Sequence, residues 1–281
     1  MPLTSSTARY DLDAADLRRI AAAVLADSRT SRGRFVCVVA GPDEPLADLA
    51  RTVERQVFEE SFGNDAATMT AEYAAYEQRS LFFVVLDRRA GRPAGVSRII
   101  QAAGGPRVKT LDDAPAYLGR PADAIIAAHG LADGGTIWDF ATIAVLSAYR
   151  GGRSALTVSS LLYRTFILAG EAAGAKHVVT MLDGRAYRNL RLLGVPLVAL
   201  AASEPFAYLG SAENHALYAD FAAIRPSIAE QAARLRRPGR AGTREIRARG
   251  WRGLLVRRIA AGVSRRVATG KGLDKHILLS R

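Results

Sequence analysis

A single cysteine among 281 residues excludes an internal disulfide, and four histidines scattered singly, His129, His177, His215 and His276, leave no metal-ligand spacing. Cys37 lies in the apolar run Phe35 to Ala40 and reads as a small core residue rather than a nucleophile. No stretch approaches the roughly eighteen apolar residues a spanning helix needs. The opening residues 1–19 lack the charged region and apolar stretch of a secretory leader. The expected setting is the cytoplasm, with peripheral contact to a membrane left open. No internal repeat is visible. Acidic residues are scarce in one place: residues 234–281 hold 15 of the 39 Lys and Arg but 2 of the 27 Asp and Glu, leaving 24 basic against 25 acidic elsewhere. The net charge of +12 therefore belongs to the C-terminal end.

What is present suffices for a real core, with 49% hydrophobic against 23% charged residues. Residues 16–27 and 45–62 carry apolar positions at helical spacing, and another helix is predicted around 69–78. Phe35 to Ala40, Leu81 to Leu86 and Ala94 to Gln101 read as strands, the last two joined as a hairpin through Arg88 to Pro93. Residues 103–135 are polar and rich in Gly and Pro, predicted as a connection with one short helix near 123–129. Strands follow at 176–182, 195–200 and 215–224, with a helix at 184–193. The order implies a mixed sheet with helices on its faces: an α/β (α+β) domain over 1–225, its core at about 35–224, then a basic tail, 226–281.

The stretch Thr136 to Ala155 carries the most chemistry. Ile137, Trp138, Phe140, Ile143 and Val145 form a dense strand run, Ser147 to Gly152 a turn, and Leu156, Val158, Leu161, Leu162, Phe166 and Ile167 a helix. A helix N-terminus offers unpaired N–H groups and partial positive charge. Gly151 and Gly152 would let the backbone approach a ligand, and Arg150 and Arg153 add charge, so the turn suits a phosphate. A plain strand-to-helix connection has the same outline and stays open as the alternative.

Four segments in order resemble the GCN5-related N-acetyltransferase (GNAT) superfamily, especially its autoinducer-synthase and acyl-carrier-dependent N-acyltransferase branch. Arg150-Gly151-Gly152-Arg153-Ser154-Ala155 is similar to the acyl-donor motif of that fold, with Arg153 where a Gly is usual. Arg55-Gln56-Val57-Phe58 and Gly95-Val96-Ser97-Arg98 are similar to two autoinducer-synthase motifs. Trp138 to Val145 is similar to a third, with Asp139 and Thr142 replacing its Glu and Arg. The acidic loop of those synthases falls on Glu72, Ala74, Tyr76 and Glu77 and lacks its middle acid, which disfavours a homoserine-lactone product. Leu190 stands where many acetyltransferases carry a general-acid Tyr, with Tyr187 one turn earlier. The resemblance implies a GNAT-like, mostly antiparallel central sheet flanked by helices. It implies acyl-CoA or the acyl-phosphopantetheine of an acyl carrier protein as co-substrate, with no permanently bound cofactor. Donor contacts would come from Val145, Arg150, Gly151, Gly152, Arg153, Ser154 and Ala155, and substrate contacts from Arg55, Phe58, Arg98, Trp138 and Thr142.

Direct acyl transfer needs a neutral amine held against a polarised thioester carbonyl; the resemblance implies that a backbone N–H near Val145 does the polarising. Asp139, flanked by apolar residues, is the first candidate base, because burial raises a carboxyl pKa; a salt bridge to Arg98 is the alternative. Glu72 and Tyr187 are further catalytic candidates, and Glu60 and His129 are also weighed. Arg55 and Arg98 either bind substrate or pack their stems on the sheet. In the tail, Trp251, Leu255, Ile259, Val263 and Val267 recur every four residues, predicting a basic, partly apolar helix. Either it is solvated and partly disordered, or it meets an acidic partner such as an acyl carrier protein or an anionic membrane. Nucleic acid is disfavoured because Trp251 is the sole aromatic among the arginines. The expected function is an N-acyltransferase moving an acyl group from an acyl carrier protein or acyl-CoA thioester to an amine acceptor. An acetyl-CoA-dependent acetyltransferase of small-molecule or protein amines, and a catalytically degenerate binding protein of this fold, are the alternatives.

Overall fold

The computed structural model describes residues 8–27, 33–132, 136–237, 246 and 250–279. Residues 1–7, which entered the leader reading, and the tail residues 238–249 other than Ile246 lie outside the described residues. In chain order the elements are α1 (Ala14–Asp27), β1 (Phe35–Ala40), α2 (Pro45–Phe62), α3 (Ala66–Tyr73), β2 (Ser80–Asp87), β3 (Arg92–Gln101), α4 (Lys109–Leu118), α5 (Ala122–Ala128) and β4 (Thr136–Val145). There follow α6 (Gly152–Ala172), β5 (Ala175–Asp183), α7 (Gly184–Leu193), β6 (Val198–Ala199), β7 (Phe206–Tyr208), β8 (Ser211–Asp220), α8 (Phe221–Arg236), α9 (Gly250–Thr269) and β9 (Ile277–Leu278). Two compact units divide the chain, one of Met1–Gln101, Phe140–Thr165 and Lys275–Arg281, the other of Ala102–Asp139 and Phe166–Asp274.

In the first unit β1 pairs antiparallel with β2 and β2 with β3, while β9 joins β1 in parallel through Cys37↔Ile277. α2 starts with Pro45, whose missing N–H costs nothing there, and stops at Gly63, which turns left-handed with φ 79°. Its Leu46, Ala50, Val53 and Val57 share one helical face and pack on Val36, Phe82, Val84 and Val96 of the strands. β3 approaches α6 closely at Gly95, where a Cβ would lie 2.8 Å from Val158 Cγ1 and 3.0 Å from the Ala144 carbonyl. Cys37 is buried core, its thiol pushed up to about 12 by burial.

In the second unit Thr136–Asp139 of β4 pairs in parallel with β5. β5 lies antiparallel to β8, and β6 and β7 pair antiparallel with β8. Phe166 links Trp138 and Phe221 through ring contacts of 5.8 and 5.7 Å. The fold is thus a mixed, mostly antiparallel sheet with helices, as the sequence implied.

Some elements differ from expectation. The helix predicted around 69–78 begins at Ala66, capped by Asp65 on the Thr68 N–H, and gives way to a 3-10 turn over Ala74–Arg79. Among the described residues, 103–132 hold two helices rather than one, since α4 forms with Pro115 inside it. The strand expected to reach 224 ends at Asp220, whose carboxylate caps α8 on the Ala222 N–H. α8 then runs across the expected boundary at 225, because Ile224, Ile228, Ala232 and Leu235 continue one buried face. Beyond it α9 packs Ala260 and Ala261 against Leu235. The every-four pattern does not form one face: positions four apart drift by about 40° per step on a helix, so Val267 is buried while Trp251 is exposed.

Candidate functional site

The start of α6 is built by the residues before it. Tyr149, in the 3-10 turn Ser147–Tyr149, donates its hydroxyl to Asp87 and accepts from Arg92 Nε, each at 3.1 Å. Arg150 Nε donates to the Val145 carbonyl at 2.8 Å and Nη2 pairs with Glu60 at 3.1 Å, so this arginine braces the turn. Gly152 is left-handed with φ 58°, and a Cβ at Gly151 or Gly152 would meet nothing within 4 Å. Glycine is thus required at 152 by conformation, and the space before the two residues is open. Arg153, in the usual Gly position of the donor motif, has no positive φ and stands exposed, so it adds charge without backbone strain. Val145 and Arg150 to Ala155 thus lie together in the first unit.

Arg98 has another setting. Wholly buried, it donates Nε to Glu54 at 3.2 Å, Nη2 to Glu54 at 2.7 Å and to Tyr10 Oη at 2.6 Å, and Nη1 to Glu77 at 2.9 Å. The Tyr73 ring lies 4.0 Å from its guanidinium carbon and Phe82 4.8 Å. Thr142 Oγ1 donates to Glu54 and accepts from the Arg98 N–H at 3.3 Å, and Arg51 Nε reaches Glu77 at 2.8 Å. Two buried cations thus face two buried carboxylates. Burial pushes Glu77 up, but Arg98 and Arg51 outweigh it and hold the carboxyl below its ordinary value. Burial likewise lowers Arg98 while the Glu54 and Glu77 carboxylates more than restore it. Tyr10 is held protonated, raised chiefly by burial against the pull of Arg98. Arg98 and Thr142, expected to contact substrate, are therefore joined to each other and to Glu54, with all three guanidinium nitrogens engaged. Arg55, another expected contact, donates Nε to the Tyr10 carbonyl at 3.2 Å and pairs with Glu59. Phe58 is half-buried beside Phe62, ring centroids 5.5 Å apart.

In the second unit Asp139 is fully buried on β4. Its Oδ2 accepts from the Thr110 N–H at 2.6 Å and its Oδ1 from Thr110 Oγ1 at 2.9 Å. It serves as a remote cap for the first turn of α4; the carboxylates paired with Arg98 are Glu54 and Glu77. Burial pushes Asp139 up to about 7, with the Thr110 bonds and Lys109 opposing and Asp113 assisting. Lys109, buried next to Thr110 in sequence, gives Nζ to Asp113 at 2.6 Å and to Tyr208 Oη at 2.7 Å. Trp138 is completely buried, and its indole Nε1 has no hydrogen-bond partner among the described residues.

The other candidates lie apart. Tyr187 is half-buried on α7 with its ring 4.7 Å from that of His215, and Leu190 is core. His129 Nε2 accepts from the Ala201 N–H at 2.9 Å, and burial lowers its pKa, which keeps it a neutral acceptor for a backbone that turns left-handed at Ala201. Glu72 remains half-exposed on α3, while Glu77, five residues on, is the acid that enters the Arg98 network. Glu54, Tyr10 and Thr110 were not singled out by the sequence. Glu54 had a signal, since it falls within the apolar arc of α2 set by Ala47, Ala50 and Val57.

No family model matches the sequence, and no curated protein matches it. Among solved structures the chain is similar to FeeM, an N-acyl amino acid synthase from uncultured soil microbes, with 13% identity and a TM-score of 0.52 over 69% of this chain and 94% of that one. It is also similar to TofI in a ternary complex with an inhibitor and MTA, at 13% identity and TM-score 0.45, over 69% of this chain and 96% of that one. A third is BjaI, a CoA-dependent acyl-homoserine lactone synthase, at 12% identity and TM-score 0.44, covering 88% and 93%. The likeness to FeeM is one of fold.

Proposed function

Starting from a fold shared with an N-acyl amino acid synthase, we propose that this chain is an N-acyltransferase. It moves an acyl group from a phosphopantetheine thioester, carried by coenzyme A or by an acyl carrier protein, directly to an amine. The amine nitrogen attacks the thioester carbonyl carbon, the tetrahedral oxyanion collapses, the C–S bond breaks, and the thiolate leaves and takes up a proton. A backbone N–H near Val145 stabilises the oxyanion. The N–H groups that open α6, together with Arg153, hold the donor's phosphate, while Arg150 fixes their turn.

Asp139 is proposed as the base for the amine's proton, and its raised proton affinity suits a base working near neutral pH. Trp138, Arg55 and Phe58 are proposed on the substrate side. For Arg98 and Thr142 we propose positioning, in line with their mutual bonds through Glu54. Tyr187 and Glu72 remain proposed auxiliary groups.

The observation that carries the reading is the left-handed Gly152 with open space before it, at the head of α6 on this fold. Incubating the protein with an acyl-CoA or an acyl carrier protein and a panel of free amines, and reading products by mass spectrometry, tests it. An amide formed only with enzyme and thioester is expected; no amide with any donor overturns it in favour of a binding role. Calorimetric titration then separates the donors, because an acetyl-CoA-specific enzyme binds that thioester and ignores carriers.

A further inference from the structure

Among the described residues, α9 is covered on one side only. Ala260, Ala261, Ser264, Val267 and Ala268 are buried, whereas Trp251, Leu254, Leu255 and Ile259 are 69, 63, 50 and 40% exposed. At about 100° per residue these four span roughly 140° of the helix, opposite the buried arc. Arg258, Arg265 and Arg266 fall inside the same arc and Arg252 at its edge, and no acidic residue occurs in Gly250–Thr269. The fifth arginine, Arg257, is engaged with the carbonyls of Leu235 and Arg237 at 2.8 Å each.

A row of large apolar side chains facing outward marks a surface that meets something, and its interleaved arginines say what. A neutral apolar partner would leave the guanidiniums desolvated without counter-charges. A purely acidic protein surface would satisfy them but leave Trp251, Leu254 and Leu255 unburied. An anionic bilayer takes both at once: arginines reach headgroup phosphates with their stems along the apolar boundary, and Trp and Leu enter it to shallow depth. Among the described residues no helix is long and apolar enough to cross a membrane, which leaves a helix lying in the plane. We propose that the outer face of α9, from Trp251 to Arg266, docks this protein on anionic phospholipid membranes.

Vesicles of phosphatidylcholine alone, and of phosphatidylcholine with an equal part of phosphatidylglycerol, test the proposal by co-flotation and tryptophan emission. Of the two tryptophans Trp138 is buried, so a blue shift on adding lipid reports Trp251. Binding and a blue shift are expected on the anionic vesicles, with binding at least tenfold weaker on the neutral ones. Replacing Arg258 and Arg265 together by Ala should weaken anionic binding roughly 25-fold, at about fivefold per arginine near the surface. The double variant Leu254→Ser with Leu255→Ser should lose the blue shift, and unchanged far-UV dichroism would show that both variants fold. No vesicle binding by the wild type overturns the proposal, as does equal binding to both lipids. Capture of an acidic carrier protein that the arginine variant loses and the leucine variant keeps, without vesicle binding, would assign the face to that protein instead.

Discussion

Replacing Asp139 by Asn removes one ionisable group while preserving its shape. The Asn carbonyl can accept from the Thr110 N–H and its amide can donate to Thr110 Oγ1, so both contacts, 2.6 and 2.9 Å in the wild type, have successors. In the wild type burial lifts the carboxyl from its ordinary 3.8 to about 7, so the folded state binds a proton more tightly than the unfolded chain. Stability from this group is therefore full below pH 3.8 and falls as pH rises through 7. The shift of about three units corresponds to about 4 kcal/mol in all, of which about 2 kcal/mol is lost between about pH 5.5 and about pH 8.5. Urea unfolding at those two pH values, followed by emission of the buried Trp138 beside it in sequence, measures the difference. Asp139→Asn should lack that decline and exceed the wild type in alkaline buffer. An equal decline in both proteins would refute the raised pKa. If Asp139 is also the base, the wild-type transfer rate should rise with pH about an apparent pKa near 7 and the Asn variant should be slow at every pH.

Arg98→Met leaves the buried Glu54 without its cation, while Glu77 keeps Arg51, and should cost about 3–5 kcal/mol by urea titration; a loss under about 1 kcal/mol would deny the network its structural weight. Glu77, held low by Arg98 and Arg51, contributes stability above its ordinary 4.5 that disappears as pH falls through its lower folded value, so Glu77→Gln should flatten the acid limb of the stability profile. Gly152→Ala forces a side chain into left-handed backbone at a cost of about 1–2 kcal/mol, and donor affinity should fall in titration calorimetry; unchanged affinity would remove the turn from the donor site. His129→Phe leaves the Ala201 N–H without its acceptor, and hydrogen exchange at Ala201 should speed up while transfer activity is retained.

Much of this was written in the sequence because it depends on local pattern. β1 and α2 follow the sequence ranges closely: an apolar run needs little context, and Pro45 and Gly63 punctuate the helix. α4 escaped because Pro115 and the acidic pair Asp112 and Asp113 disguise it, while its remote cap, Asp139, lies 29 residues from Thr110. The Arg98 cluster was half legible. Arg98 was marked as important, but Tyr10 is 88 residues away, and no periodicity pairs them. Trp251 to Val267 was readable as a helix yet not as a face, because a spacing of four drifts from exposed to buried within one element.

Direct transfer makes one amide for each thiol released. Counting donor thiol with a thiol reagent alongside amide by mass spectrometry tests that claim most directly, and the protein does not interfere because its sole cysteine, Cys37, is buried. Equal counts, both requiring the amine, are expected. Thiol released at the same rate without amine, or no amide at all, would contradict it.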